Sequence, residues 1–133
     1  MSISRKMLSA LLATGALLVF GCGTTQTYDG PRKAAREVAV LKTNVGEISL
    51  ATAWVGQVDG KEIVPAYPEL EVLPESRSIR INFKRGFIAR AETVSLEAKA
   101  GRTYRARGEL KSGKLYAWIE DECTGEKVAG EKP

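Results

Sequence analysis

The stretch Ser78-Ile79-Arg80-Ile81-Asn82-Phe83-Lys84 has the strictest alternation of apolar and polar residues in the chain. Successive side chains of a β-strand point to opposite faces, so its three apolar residues would share one face and its four polar residues the other. A strand with one buried and one solvated face is typical of antiparallel sheets. The stretch therefore predicts a half-buried strand in an antiparallel β-protein.

Similar strand signals recur on both sides of this stretch, and glycine-containing turns such as Asp59-Gly60, Ala100-Gly101 and Ser112-Gly113 separate several of them. No amphipathic helix is predicted after the N-terminal leader. About seven short strands of this kind predict an all-β fold, an antiparallel β-sandwich, with a small barrel as the alternative. The strand signals, nine with the short segments 61–64 and 126–128 included, lie at 37–42, 48–55, 61–64, 70–73, 78–84, 92–98, 103–110, 115–119 and 126–128.

The N-terminus has the pattern of a secretory signal peptide. Arg5 and Lys6 precede an uncharged apolar run over residues 7–20, and Gly21 provides the small residue at its end. The run is shorter than the roughly 20 apolar residues that a membrane-spanning helix needs, and the residues after Cys22 are polar. Residues 1–21 are therefore predicted to form a signal-peptide helix.

The four residues Val19-Phe20-Gly21-Cys22 resemble the lipobox of bacterial lipoproteins. The resemblance implies cleavage between Gly21 and Cys22, a diacylglycerol on the Cys22 thiol, and a fatty acid such as palmitate on the new amino group. Because Gly23 rather than Asp follows the cysteine, it also implies the outer membrane, with the protein oriented toward the periplasm. The alternative is an ordinary secretory signal with Cys22 in a disulfide.

The mature chain divides into a linker and one domain. Residues 22–36 are small, polar and interrupted by Gly30 and Pro31, which predicts a lipidated cysteine followed by a flexible tether. Residues 37–133 carry all the strand signals and are long enough to form one core. The prediction is one β-sandwich domain on a membrane tether.

Composition argues against several classes of function. Lys and Arg number 20, two of them in the leader, against 16 Asp and Glu, a balance that does not favour nucleic-acid binding. The chain has no His, which removes the usual general base and the commonest zinc ligand. We therefore predict no enzyme, no catalytic residue, no cofactor and no metal site.

The later part of the chain is similar to PEGA-type and related small β-sandwich domains of bacterial envelope proteins. The similarity rests on the turn at Val58-Asp59-Gly60, on Glu71-Val72-Leu73-Pro74 before the central strand, and on residues 98–104. The Pro-Gly-x-His step of that family is Pro74-Glu75-Ser76-Arg77 in this chain. Residues 121–128 also resemble the end of small proteobacterial lipoproteins. The resemblance implies a fold and an envelope location, and no catalytic residue.

Two sets of residues are candidates for ligand binding. A basic sheet face would bind an anionic envelope polymer such as lipopolysaccharide or an acidic glycan; the alternative is cross-strand pairing with Glu92, Glu97 and Glu109. An aromatic platform would bind a sugar; the alternative is burial in the core. The basic set is Arg80, Lys84, Arg90, Arg105 and Arg107, and the aromatic set is Trp54, Tyr67, Tyr104, Tyr116 and Trp118. The candidate ligand face is Arg80, Arg105, Arg107, Tyr116 and Trp118.

The acidic turn near the C-terminus has two further interpretations. Glu120, Asp121 and Glu122 form either a weak calcium site or a solvated turn, although neighbouring strand residues point to opposite faces. Cys123 is either a small half-buried residue or the link of a disulfide-bonded dimer in the oxidising periplasm. The leading functional prediction is a non-enzymatic binding or accessory module for an envelope protein partner, with the anionic-polymer binder as the alternative.

Overall fold

The computed structural model of the chain describes residues 24–43, 51–63 and 69–133. The predicted signal peptide at 1–21, the cleavage site at Gly21 and the lipidation site at Cys22 lie outside these residues. No helix in the described part of the chain is long and apolar enough to cross a membrane.

The described residues form an all-β, sandwich-like fold, as the alternating sequence predicts, with more strands than the seven expected. A single 3-10 turn at Ala35–Glu37 is the helical element among them. The strands in chain order are β1 (Thr25–Gln26), β2 (Ala39–Lys42), β3 (Ala51–Val58), β4 (Lys61–Glu62), β5 (Glu69–Val72), β6 (Glu75–Arg85), β7 (Ile88–Ala98), β8 (Thr103–Lys111), β9 (Lys114–Asp121) and β10 (Lys127–Gly130).

The strands form two sheets. The six-stranded sheet has the order β1-β5-β2-β8-β9-β10, and the four-stranded sheet has the order β4-β3-β6-β7. Most neighbours are antiparallel, as predicted, but β1 pairs with β5 and β2 pairs with β8 in parallel. Strand alternation reports which residues face inward, not which strand lies beside which, so these parallel pairs have no local sequence signal.

The core lies between the two sheets and is made by the inward positions of the alternating strands. Ile79 and Ile81 of β6 are fully buried, and so are Leu96 of β7 and Leu41 of β2. Because 24–133 supplies both sheets of this core, we expect these residues to fold without the leader. Other members of the core cluster include Val55, Leu70, Val72, Phe83, Tyr104, Ala106, Leu115, Ala117 and Ile119.

Three two-residue turns close the long hairpins. Asp59-Gly60 joins β3 to β4 with φ of 51° and 79°, and Ser112-Gly113 joins β8 to β9 with φ of 53° and 79°. Positive φ at both central residues is the type I′ turn that matches strand twist, which confirms both predicted hairpin turns. Between β6 and β7 the turn residues are Gly86 and Phe87, and the positive φ of 59° at Gly86 fits a type II′ turn.

The segment predicted as a flexible tether differs from the prediction. Strand β1 lies within residues 22–36 and pairs with β5, and Tyr28 is buried. Glu71 of β5 accepts hydrogen bonds from Thr24, from the Tyr28 hydroxyl at 3.2 Å and from Arg32 Nε at 3.1 Å. One buried carboxylate therefore holds the segment against the sheet, and the folded body begins before residue 37.

The two ends of the sandwich are distinguishable. Gly108 in the later half of β8 lies against Phe83 in the later half of β6, so the β8–β9 and β6–β7 turns are at one end, here called the tip end. At the opposite end the amide of Lys99, just after β7, donates to the Tyr104 hydroxyl at 3.0 Å. The strand pairings make β1 antiparallel to β8. Strand β1 therefore runs away from the tip end, and its register places Thr25 level with Leu70, Leu41 and Tyr104, toward the opposite end.

Candidate binding surfaces

Four of the five predicted ligand-face residues lie together on the outer face of the six-stranded sheet. Arg105 and Arg107 are on β8, and Tyr116 and Trp118 are on the neighbouring strand β9, where Trp118 is directly opposite Arg107. The inward positions between them belong to the core, which is why this face points away from it. Arg80 is not among them, because it lies on the outer face of the other sheet.

Trp118 is buried without belonging to the core between the sheets. Only 7% of its surface is exposed, its Nε1 donates to Glu120 at 2.8 Å, and Lys132 Nζ lies 5.9 Å from the ring centroid. The C-terminal residues after β10 thus cover the ring from outside. Trp118 is therefore buried outside the core that the alternative named, and its ring does not form an open platform.

The cations of this face are paired with carboxylates of the same face. Arg105 lies 3.0 Å from Glu122, and Arg107 lies 3.6 Å from Glu120. The hydrogen bond from Trp118 lowers the pKa of Glu120, against burial that would raise it, and Arg107 and Lys132 lower it further. Hydrogen bonds from Lys42 and Arg105 lower the pKa of Glu122. The face is therefore close to charge-neutral and internally satisfied.

These pairs correct one detail of the sequence-based alternative. Cross-strand pairing occurs, but its acidic partners are Glu120 and Glu122 rather than Glu92, Glu97 and Glu109, which take part in no ion pair among the described residues. The register explains the difference, because Glu109 lies opposite Tyr116. Register depends on the turn that joins two strands and not on the residues of one strand alone.

The outer face of the four-stranded sheet carries unpaired cations. Within the described residues no carboxylate lies within ion-pair distance of Arg80 or Lys84 on β6. Asn82 lies between them on the same strand, and the half-buried Trp54 of β3 is its register partner. Two adjoining shallow cavities of about 340 and 220 Å³ are lined by Trp54, Arg80 and Asn82 together with their neighbours.

Gly56 provides the space that Asn82 occupies on this face. It lies at the bulge of β3 between Val55 and Gln57, and a Cβ atom on it would come within 2.1 Å of the Asn82 side-chain nitrogen. Within the described residues the Asn82 amide has no hydrogen-bond partner. An open amide between two cations and beside an indole ring is a set of groups suited to an anionic, hydroxyl-rich ligand.

Strand β7 forms the edge of the four-stranded sheet, and its later half lies near β9 and β10 of the other sheet. It pairs with β6 over its whole length of 11 residues, and no strand in the described part of the chain pairs with its outer edge. Its first six residues are exposed on both faces, so the β6–β7 hairpin extends beyond the core. Phe87 at its turn is fully exposed, with a relative exposure of 108%.

Two of the remaining candidates from the sequence, Tyr104 and Asp121, have structural roles. Tyr104 is a core residue, whereas Tyr67 lies outside the described residues. Asp121 accepts hydrogen bonds from the amides of Cys123 and Thr124, and the described residues contain no group of three or more metal-ligating side chains. Cys123 is an exposed free thiol in this turn. The acidic turn is therefore stabilised by its own hydrogen bonds.

Sequence reasoning missed three features of these surfaces. Phe87 follows Gly86, and an aromatic residue is unusual beside a turn glycine. The Gly56–Asn82 contact has no local signal, because it joins residues 26 apart in the chain. In the sequence Glu71 is one acidic residue in a short predicted strand. A signal of its role is that Tyr28 and Arg32, which can both donate hydrogen bonds to a carboxylate, lie in the segment predicted as a tether.

Comparison with known proteins adds nothing to this description of the surfaces. No protein-family model, no curated protein and no solved structure matches the chain.

Proposed function

We propose that this chain is a lipid-anchored protein of the bacterial envelope that binds an envelope protein partner and has no catalytic activity. The proposed location rests on the resemblance of Val19-Phe20-Gly21-Cys22 to the lipobox. By the same resemblance, Gly23 favours the outer membrane, with the domain oriented toward the periplasm. An anchor of several acyl chains would hold the protein stably, since each buried methylene contributes about 0.8 kcal/mol.

The open edge of β7 is the observation that supports a protein partner. An exposed edge presents unpaired backbone N–H and C=O groups, to which a strand of another protein can add. Natural proteins usually shorten, bend or cover such edges. The 11-residue β7 is long and pairs with no described strand along its outer edge, although β9 and β10 lie near its later half. A partner strand pairing here would extend the four-stranded sheet.

The arrangement of titratable groups supports a role in binding over one in catalysis. The described carboxylates with lowered pKa values, Glu71, Glu120 and Glu122, are each engaged by neighbouring hydrogen-bond donors. None of the three lines one of the principal cavities, where a general acid or base would have to reach a bound substrate.

Site-specific photocrosslinking in intact cells tests the proposed edge. A photoreactive residue at Thr93, Ser95 or Glu97, all exposed on β7, should give one discrete adduct with the same partner. The matched control is Ser112, which is exposed at the β8–β9 turn and should give no such adduct. Equal adducts at all four positions, or none at the three β7 positions, would contradict binding at this edge.

The proposed address has its own test. Blocking the lipoprotein signal peptidase with globomycin, or replacing Cys22 with serine, should produce a larger precursor that retains the leader. A precursor of unchanged mobility under both treatments would argue against lipidation. This result does not depend on whether β7 binds a partner.

The outer face of the four-stranded sheet favours a second candidate function, the binding of an anionic envelope polymer. Arg80 and Lys84 are unpaired among the described residues, unlike Arg105 and Arg107 on the other sheet. Replacing Arg80 with glutamine should weaken binding of an acidic polysaccharide, whereas replacing Arg107 should not. Binding should also fall steeply with salt. Salt-independent binding, or equal effects of the two substitutions, would refute this candidate.

The exposed thiol of Cys123 leaves a disulfide-linked dimer as a further assembly to test. Periplasmic protein analysed without reductant should then run as a dimer that a Cys123→Ser substitution abolishes. A monomer under these conditions would exclude this link.

A further inference from the structure

We propose that the tip of the β6–β7 hairpin, Phe87 and Ile88 with the cations Lys84, Arg85 and Arg90, inserts into an anionic lipid surface. The proposal goes beyond the protein partner assigned to the edge of β7. It does not depend on the proposed lipid anchor.

The apolar side chains of the tip have nothing to pack against in the domain. Phe87 is fully exposed, and Ile88 is 37% exposed, whereas the large apolar residues of β6 are buried. The two-residue turn places Phe87 at the extremity of the hairpin, beyond the last register pair of Arg85 with Ile88. An exposed aromatic ring and a β-branched neighbour at such a point form a wedge of the size that enters a lipid interface.

Positive charge surrounds this wedge. Lys84 lies on the outer face of the hairpin, whereas Arg85 and Arg90 lie at positions on its other face, the face of Phe83. The sequence has no Asp or Glu between Glu75 and Glu92. Within the described residues neither Lys84 nor Arg85 is in an ion pair. An apolar tip with cations behind it is complementary to a bilayer that carries anionic headgroups.

The β8–β9 turn lies at the same end of the sandwich and adds the exposed Lys111 to the cations of the tip. Strand β1 lies toward the opposite end, because Thr25 is level with Leu70, Leu41 and Tyr104 in the register of the six-stranded sheet. The proposal therefore rests on the tip itself and not on the position of the lipid anchor.

The size of the patch favours a bilayer over a protein as its occupant. A stable protein interface buries about 800 Å² on each partner, far more than two side chains provide. Insertion into a lipid interface needs no such area, because each apolar side chain and each cation contributes separately. The open edge of β7 lies beside the tip and remains available to a partner strand.

Vesicle binding by residues 24–133 tests the proposal without leader or anchor, since this part of the chain supplies both sheets around the core. The wild-type domain should bind vesicles of equal parts phosphatidylglycerol and phosphatidylcholine and not vesicles of phosphatidylcholine alone. Phe87→Ala should lower the partition coefficient about tenfold. Removing any one of the three cations should lower it about fivefold.

The matched control is Val128→Ala, which removes an exposed apolar side chain at the opposite end and should leave binding unchanged. Phe87 has no contacts to lose, so Phe87→Ala should also leave thermal unfolding unchanged. A Phe87→Trp variant should bind at least as well, and brominated acyl chains should quench its added fluorescence.

Three results would overturn the proposal. They are failure of the wild-type domain to bind anionic vesicles at low salt, equal binding by the Phe87→Ala and wild-type proteins, and quenching in the Phe87→Trp variant no greater than that of the two native tryptophans in the wild-type domain. None of these bears on the β7 photocrosslinks, so failure of the lipid proposal and failure of the partner proposal are distinguishable.

Discussion

Replacing Glu71 with alanine should release the N-terminal segment from the six-stranded sheet. The Glu71 residue is only 7% exposed, and its carboxylate accepts hydrogen bonds from Thr24, Tyr28 and Arg32, three residues that lie before β2. Arg32 also forms an ion pair with it at 2.8 Å. No other described side chain joins β5 to so many residues of this segment.

The expected loss of unfolding free energy depends on which hydrogen bonds the partners of Glu71 keep in the variant. A hydrogen bond to a charged group contributes about 1.5–3 kcal/mol, but the values do not add when the partners find substitutes. The Tyr28 hydroxyl keeps the bond it accepts from the Lys33 amide, and the Arg32 side chain is one-third exposed and keeps the Thr24 carbonyl. We therefore expect a loss of about 2–3 kcal/mol in the free energy of unfolding.

Urea unfolding measures the loss, and hydrogen exchange locates it. The Thr27 amide donates to the Glu71 carbonyl at 3.1 Å and should lose protection in the variant, whereas amides of β6 should keep theirs under native conditions. Glu69→Ala is the control on the same strand, because Glu69 is more exposed and lies 3.9 Å from Lys42, a contact that contributes little. A Glu71→Ala effect no larger than that of the control, with the Thr27 amide still protected, would refute the reasoning.

Three further predictions concern pH, backbone geometry and the covered indole. Burial would raise the pKa of Glu71, but its hydrogen bonds and Arg32 hold this pKa below the usual 4.5. The ionised carboxylate therefore contributes its full stability above pH 4.5, and this contribution is lost as pH falls through the lower pKa of the folded state. Glu71→Gln should flatten this acid dependence in unfolding measurements. Gly130→Ala should destabilise by more than Gly113→Ala, by calorimetry, since both have φ of 79° but only the Gly130 Cβ would lie 2.2 Å from a β9 carbonyl; equal effects would contradict this. Trp118→Phe should cost about 1–2 kcal/mol, because Glu120 loses the indole donor at 2.8 Å, and an unchanged unfolding midpoint in urea would argue against that bond.

The class of fold was predictable because it depends on local alternation. The residues of 78–84 alternate strictly, and the structure buries Ile79, Ile81 and Phe83 as the pattern requires. The Asp59-Gly60 and Ser112-Gly113 turns were predictable for the same reason, since positive φ selects a few residue types. Each of these features is decided within a few residues of sequence.

The features that depend on distant residues were not predictable in this way. Residues 22–36 have the composition of a linker, and only Glu71, more than 30 residues later, makes part of them a strand. The predicted ligand face joined Arg80 to Arg105 and Arg107 because all three point outward, but pointing outward does not say from which sheet. The first six residues of β7 are exposed because the β6–β7 hairpin extends beyond the core. The sequence of one strand does not show how far its hairpin extends.

The proposed address depends on the N-terminal residue of the mature protein, and mass spectrometry of protein purified from the membranes of its native cells measures it directly. A lipid anchor predicts an N-terminal peptide that begins at Cys22 and carries the added mass of a diacylglyceryl group and an acyl chain. An N-terminal peptide beginning at Cys22 without acyl mass, or one that still contains the leader, would contradict the lipid anchor and the envelope function built on it.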